Sequence, residues 1–235
     1  MVDINNSYVI TRNESLKDEY TGIKTTSISY DTKRKLTASD AGASDEMGAA
    51  VEIRGNYAVS SAHGWDDPLA AGGYSSQGAM YYFAKTGTSW ATATEHILTS
   101  SSRQNGAKIG TNADNGIFSY RYNATSVYED RVVAGESDWY DGSIYTGQII
   151  IWEKSGAIWV ETNVTAAPAA ADYYGQAVST YGAHIAVGAY GDDGKNTNAG
   201  KVHMLTSGSS GWAVASTLEP EYGGGANDEY SAHFG

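Results

Sequence analysis

One phrase recurs along the chain. Its fullest copy, Asp172–Trp212, reads DYYGQAVSTYGAHIAVGAYGDDGKNTNAGKVHMLTSGSSGW. Upstream, MGAAVEIRGNYAVSSAHGWDD leads to GAMYYFAKTGTSW, and in the middle FSYRYNATSVYEDRVVAGESDWYD leads to GQIIIWEKSGAIW. The final residues, DEYSAHFG, begin the phrase again. Trp90, Trp159 and Trp212 are separated by 69 and 53 residues, and Gly78, Gly147 and Gly200 by the same two intervals. Two independent markers that shift together define a repeated supersecondary unit, and a chain of such units buries its core by stacking them.

Each unit reads as four short strands. In the second, Ala50–Ile53 and Tyr57–Ser61 flank a Gly55-Asn56 turn, Ala79–Ala84 is the third strand, and Trp90 opens a fourth that ends near Leu98. In the third, Arg131–Gly135 and Gln148–Trp152 are followed by a strand that Trp159 opens. The fourth places strands near Gln176–Thr180, Ile185–Ala189, Lys201–Thr206 and Trp212–Leu218. Thr99–Asn115 and Ala166–Ala171 read as connecting loops. Val2–Ile10 aligns with Val51–Val59 without a gap, which makes the N-terminal stretch a degenerate first unit. The expectation is an all-β chain, a β-propeller of four-stranded antiparallel blades. Its four repeats cover about 1–47, 48–118, 119–174 and 175–235 in one repeat domain.

Composition narrows the function classes. With 28 Gly, 18 Tyr and only 3 Pro, the chain suits short strands joined by glycine turns. The net charge of −12 argues against nucleic acid as a partner, because phosphate contacts need Lys and Arg. The absence of Cys excludes disulfides, thiol catalysis and thiolate metal sites. No apolar run approaches the ~18 residues of a membrane span, so no membrane insertion is expected. The N-terminus MVDINNSYVI shows no basic region followed by an apolar one, and so no visible signal peptide.

The units resemble the FG-GAP repeat, the blade of integrin α-subunit propellers and of bacterial and viral surface proteins. Phe234-Gly235, the variant Phe118-Ser119, Tyr174-Gly175 and Met47-Gly48 carry the first part of the motif. Val187-Gly188-Ala189-Tyr190 and Val133-Ala134-Gly135-Glu136 carry the second, with Ser60-Ser61-Ala62-His63 as a weaker copy. The resemblance implies a propeller, but family propellers usually have more than four blades. Closure as a four-bladed disc, membership of a longer protein, and completion of one ring by two chains all stay open.

The loops after the second strands, Asn13–Tyr20, His63–Tyr74, Glu136–Tyr145 and Tyr190–Asn198, are polar and aromatic. Antiparallel pairing puts them on one rim with the blade-to-blade connections, and resemblance to integrin propellers makes that rim the ligand face. Trp65, Tyr74, Trp139, Tyr140 and Tyr190 are candidates to stack on sugars or anchor a protein. The alternative is that they pack between neighbouring loops. Asp192, Asp193, Asn196 and Asn198 around Gly194 are candidate oxygen ligands for Ca²⁺. They do not complete the D-x-D-x-D-G pattern of calcium-binding members, and ordinary Asx turns are the alternative. No cofactor is required by this reading. Trp90, Trp159 and Trp212 are expected to pack between blades.

His63, His96, His184, His203 and His233 form no HExxH or metal-spaced pair, and no nucleophile elbow occurs. The leading expectation is a non-catalytic binding or structural protein of an outer surface, extracellular or on a virion. Its partner is a protein or glycan on a cell or particle surface. The alternatives are a polysaccharide-acting enzyme with its active site on the rim, and a repeat protein that self-associates through its terminal repeats.

Overall fold

The computed structural model describes residues 7–8, 28–29, 35–68, 73–87, 89–111, 123–165, 172–194 and 198–220. The described residues hold fourteen strands and no helix. β1 (Ser7–Tyr8) pairs with β2 (Ile28–Ser29). Three four-stranded antiparallel meanders follow. The first holds β3 (Met47–Arg54), β4 (Tyr57–Ala62), β5 (Ala79–Thr86) and β6 (Ser89–Leu98). The second holds β7 (Thr125–Tyr128), β8 (Arg131–Glu136), β9 (Gln148–Ser155) and β10 (Ile158–Val164). The third holds β11 (Val178–Tyr181), β12 (His184–Ala189), β13 (Lys201–Gly208) and β14 (Gly211–Leu218).

The sheets stack face to face, and the middle sheet is buried on both sides. Ile150 and Trp152 join Val59, Met80 and Tyr82 of the first sheet in one core. Ile149 and Ile151 point the other way and meet Ile185, Val187, Leu205 and Trp212 of the third. Side chains alternate along a strand, so a strand covered on both faces must be apolar at every position. That is the physical reason for the continuous apolar run Ile149–Trp152. On the far side of the first sheet, Tyr81 and Phe83 pack with Ala62 and Trp65, and Leu36, Ala38 and Met47 lie against them.

The repeated markers have fixed structural places. Trp90, Trp159 and Trp212 are each the second residue of the fourth strand of their sheet. Trp159 packs edge-on to Tyr82 of the preceding sheet at 4.8 Å. Trp212 lies under the Arg131 guanidinium at 4.5 Å and donates to Glu153 at 3.0 Å, again on the preceding sheet. Gly78, Gly147 and Gly200 immediately precede the third strands with φ of 86°, 77° and 78°. A Cβ on Gly78 would lie 2.6 Å from the Ile109 nitrogen, and one on Gly147 would lie 2.2 Å from the Tyr174 oxygen. Gly78 and Gly147 thereby let the connector to the next sheet pass against the third strand.

The first strands of the three sheets gather on one side. β3 contacts β7, and β7 contacts β11. Glu52 accepts the Val127 amide at 2.6 Å, and Ser126 accepts the Thr180 amide at 3.0 Å. Arg54 reaches past β7 to donate to the Thr180 carbonyl at 3.1 Å and lies over Tyr128 and Tyr181.

Among the described residues there are three four-stranded sheets rather than four, and they do not close on themselves. Among the described residues of the expected first repeat, the β1–β2 pair is the one strand pair before β3. β11 starts at Val178, two residues later than expected, because Gln176 turns back to donate its amide to Tyr173. β7, only four residues long, is the element that periodicity does not single out. The loop expected at Asn13–Tyr20, the connector Ala166–Ala171 and the restarting phrase Asp228–Gly235 lie outside the described residues.

Candidate functional site

The two ends of the sheets differ. At one end, two-residue hairpins turn at Gly55, Glu129, Gly156 and Gly182, each at positive φ, which suits the twist of the paired strands. At the other end lie the long loops 63–78, 137–147 and 190–200 and the sheet-to-sheet connectors. All the candidate residues that the structure describes are on this long-loop rim.

The rim loops of the first two sheets are tied together by the connector that leaves β6. Toward the first sheet, Asn105 accepts the Ser75 amide at 2.9 Å, and the Gly106 amide donates to Ser75 at 2.9 Å. Arg103 pairs at 2.6 Å with Asp67, whose carboxylate is almost fully buried. Toward the second sheet, Gln104 accepts the Tyr140 amide at 3.1 Å and donates to its carbonyl at 3.4 Å. The Trp139 indole donates to Ser102 at 3.2 Å. Residues 102–106 thus act as a strap across the seam.

The candidate aromatics have different fates. Trp65 is buried, and its indole donates to Asp40, which also accepts from Tyr81. Its ring belongs to the core and offers no face to a ligand, because the loop folds it back over β4 and β5. Trp139 is half-buried beneath the strap. Tyr190 stacks on Tyr173 at 4.9 Å, within the same sheet's rim. Tyr74 is half-buried and lines a cleft of about 330 Å³ with Asp66, Gly73, Ser75 and Asn105.

Tyr140 is exposed and pairs with Tyr145, with ring centres 5.1 Å apart. Tyr145 is 60% exposed and Ile144 37%. The Asp141 carboxylate holds this tip by accepting the Ile144 and Ser143 amides at 2.9 and 2.7 Å, and those bonds depress its pKa. Ile144 and Tyr145 are absent from the sequence-derived candidates. The signal for them is the Asp141-Gly142 turn, which brings Tyr145 across from Tyr140.

Beneath the strap, Glu136 is fully buried at the end of β8. It accepts from the Gln148 side chain, which also donates to Ser102 at 2.8 Å, and its Oε1 has no hydrogen-bond partner. Burial pushes the Glu136 carboxyl up to about 8, opposed by the Gln148 bond and reinforced by Glu161 nearby.

In the candidate cation loop, Asp192 is held by its own protein. Lys201 donates to it at 3.0 Å, and the Gly194 amide donates at 2.8 Å. Burial lowers the Lys201 pKa, but Asp192 and Glu219 outweigh burial and raise it. Asp193 instead accepts the Asn198 amide at 2.7 Å, while Asn196 lies outside the described residues. No group of three or more His, Cys, Asp or Glu side chains is gathered for a metal among the described residues.

A family model described as the FG-GAP repeat matches residues 30–83 and 161–205. The chain carries FG-GAP repeats. The two matches end at the same structural place, since Phe83 is the fifth residue of β5 and Leu205 the fifth of β13. The middle sheet, matched only at residues 161–164 of its last strand, has the same meander and the same glycine and tryptophan places as the sheets beside it. No curated protein matches the chain.

Proposed function

We propose that the chain is a non-catalytic β-propeller of four-stranded blades that binds or builds at an outer surface, of a cell or of a virion. Its long-loop rim recognises a protein or glycan there. The observation that carries this reading is the Tyr140–Ile144–Tyr145 tip. Large apolar side chains stand exposed on a turn fixed from within by Asp141 and from outside by Gln104. Ordered aromatic side chains give contact area at low entropic cost, and a fixed loop loses little freedom on binding. The FG-GAP repeats, and the first strands gathered through Arg54 and Glu52, support the propeller architecture.

The test is an array carrying glycans and cell-surface ectodomains, probed with the wild type and with the Tyr140→Ser/Tyr145→Ser variant. The expected result is binding to a defined subset that the variant loses. Binding to nothing, or identical binding by both proteins, overturns the proposal.

A second reading, assembly with copies of itself, rests on a different face. An apolar groove of about 370 Å³ runs along the first sheet between Leu36, Met47, Val51, Ile53, Ala58 and Phe83. Val51 and Ile53 are 59% and 66% exposed on β3, the first strand of its sheet, and form an apolar patch with the groove. Sedimentation equilibrium tests it. A concentration-dependent dimer that Ile53→Asp abolishes supports the reading, and a monomer throughout overturns it.

A further inference from the structure

We propose that the strap 102–106 is a latch on the rim, closed while the buried Glu136 carboxyl carries its proton and released when Glu136 ionises. The latch itself does not depend on what the rim binds. Its consequence for binding rests on the rim being the recognition face.

The strap is tied to Glu136 through one shared amide. The Gln148 side-chain NH₂ has two hydrogens and donates to both the Glu136 carboxyl and the Ser102 hydroxyl, the latter at 2.8 Å. The Trp139 indole donates to the same hydroxyl at 3.2 Å. Ser102 is therefore where the strap is seated on the second sheet. Just before it, Glu161 on β10 anchors the root of the strap. Glu161 accepts the Ser101 amide with both oxygens, at 3.0 and 2.9 Å, and the Ser101 hydroxyl at 2.9 Å. The Ser102 amide in turn donates to the Ser100 hydroxyl at 3.0 Å.

Ionisation of Glu136 strains this arrangement. The side chain is fully buried, Gln148 donates to one oxygen, and Oε1 has no hydrogen-bond partner. A neutral carboxyl tolerates such a place, but a carboxylate needs further donors, and water supplies them once Ser102 leaves its seat. The charged groups around it act in the same direction or are engaged elsewhere. Glu161, at the root of the strap, is a like charge that disfavours ionised Glu136. On the strap, Arg103 pairs with Asp67 at 2.6 Å. In the loop after β8, burial raises the Asp138 carboxyl and Lys108 partly offsets the rise.

The direction of the response follows by linkage. Closed, Glu136 keeps its proton up to about pH 8, and opening returns it toward its ordinary 4.5. The strap is therefore tightest below about pH 4.5. Its open fraction grows by up to about tenfold per pH unit as pH rises toward 8, then levels off. Release reaches the Tyr140–Tyr145 tip because Gln104, within the strap, holds the Tyr140 amide and carbonyl.

Trypsin reads the latch, since Arg103 lies in the strap and cleavage follows the open fraction when reclosing is fast. Wild type and Glu136→Gln are digested side by side at pH 6, 7 and 8, and their rates are taken as a ratio that cancels the protease's own pH profile. The ratio for cleavage after Arg103 should rise about tenfold or more from pH 6 to pH 8, while the ratio after Lys201 in β13 stays constant. A ratio at Arg103 that ignores pH, or one that rises equally at Lys201, overturns the proposal. Ser102→Ala tests the seat without touching the carboxyl, and serves if Glu136→Gln does not fold. It should be cut after Arg103 at pH 6 about tenfold faster than wild type, and equal rates overturn the proposal. If Arg103 is released on this schedule while array binding is absent at every pH, the latch stands and the rim reading fails. Array binding that depends on Tyr140 and Tyr145 yet is as strong at pH 8 as at pH 6 overturns the coupling of the latch to recognition.

Discussion

Gln148 on β9 donates its side-chain amide to the carboxylate of Glu136 on β8, and neither side chain reaches solvent. A buried carboxyl with a single side-chain donor is more stable protonated, which is why its pKa rises from 4.5 to about 8. A carboxyl whose folded pKa lies above its unfolded value binds its proton more tightly when folded. Its contribution to stability is therefore complete below about pH 4.5, is lost as pH rises toward 8, and levels off beyond. The loss has a limiting slope of about 1.4 kcal/mol per pH unit. Urea denaturation of the wild type and Glu136→Gln across pH 5 to 9 should give curves that diverge, with the variant the more stable by several kcal/mol at pH 9. Parallel curves would place the Glu136 carboxyl in water.

Gly147 and Gly156 both take positive φ, at 77° and 63°, but only Gly147 is crowded. A Cβ on Gly156 meets nothing within 4 Å, whereas one on Gly147 meets the Tyr174 backbone at 2.2 Å. Gly156→Ala should cost about 1–2 kcal/mol, the conformational penalty alone. Gly147→Ala should cost at least about 2 kcal/mol more, because the backbone of the next sheet must move. Equal losses in chemical denaturation would contradict the close approach.

The Trp212 ring under Arg131 and its bond to Glu153 link the third sheet to the second. Arg131 also donates to Glu153 at 2.8 Å, so the three side chains form one unit. Trp212→Phe should destabilise by about 1–2 kcal/mol, from a lost hydrogen bond and a weaker ring. A double-mutant cycle with Arg131→Met should return a coupling of about 0.5–1 kcal/mol, and additive losses would dissolve the unit.

Lys201 supplies Asp192 with the positive charge that the loop would otherwise seek from an ion. Lys201→Met leaves a buried, unpaired carboxylate and should cost about 2–3 kcal/mol. Millimolar Ca²⁺ should then raise the melting temperature of the variant and leave the wild type unchanged. An equal rise in both would mean that the ion binds without displacing Lys201.

The strands of this chain are legible in its sequence because the repeat supplies several copies of the same signal. Gly147 and Trp159 mark the third and fourth strands of the middle sheet. β7 escapes because a four-residue strand buried at three of its positions shows no period-two pattern. On the rim, residue type alone misleads. Trp65 and Tyr140 look alike in a polar loop, yet the first is a core residue and the second is exposed. What separates them is a long-range hydrogen bond to Asp40, which no local pattern records. The strap is hidden for the same reason, since Arg103, Gln104 and Asn105 sit in a stretch that reads as an ordinary polar connector.

The most direct test of the account is backbone hydrogen exchange, with and without a ligand taken from the array. Protection is expected at residues 63–78 and 137–147 and along the strap at 102–106, with none at the hairpin turns of Gly55, Gly156 and Gly182. Protection confined to those turns, or no protection anywhere, would contradict a binding face on the long-loop rim.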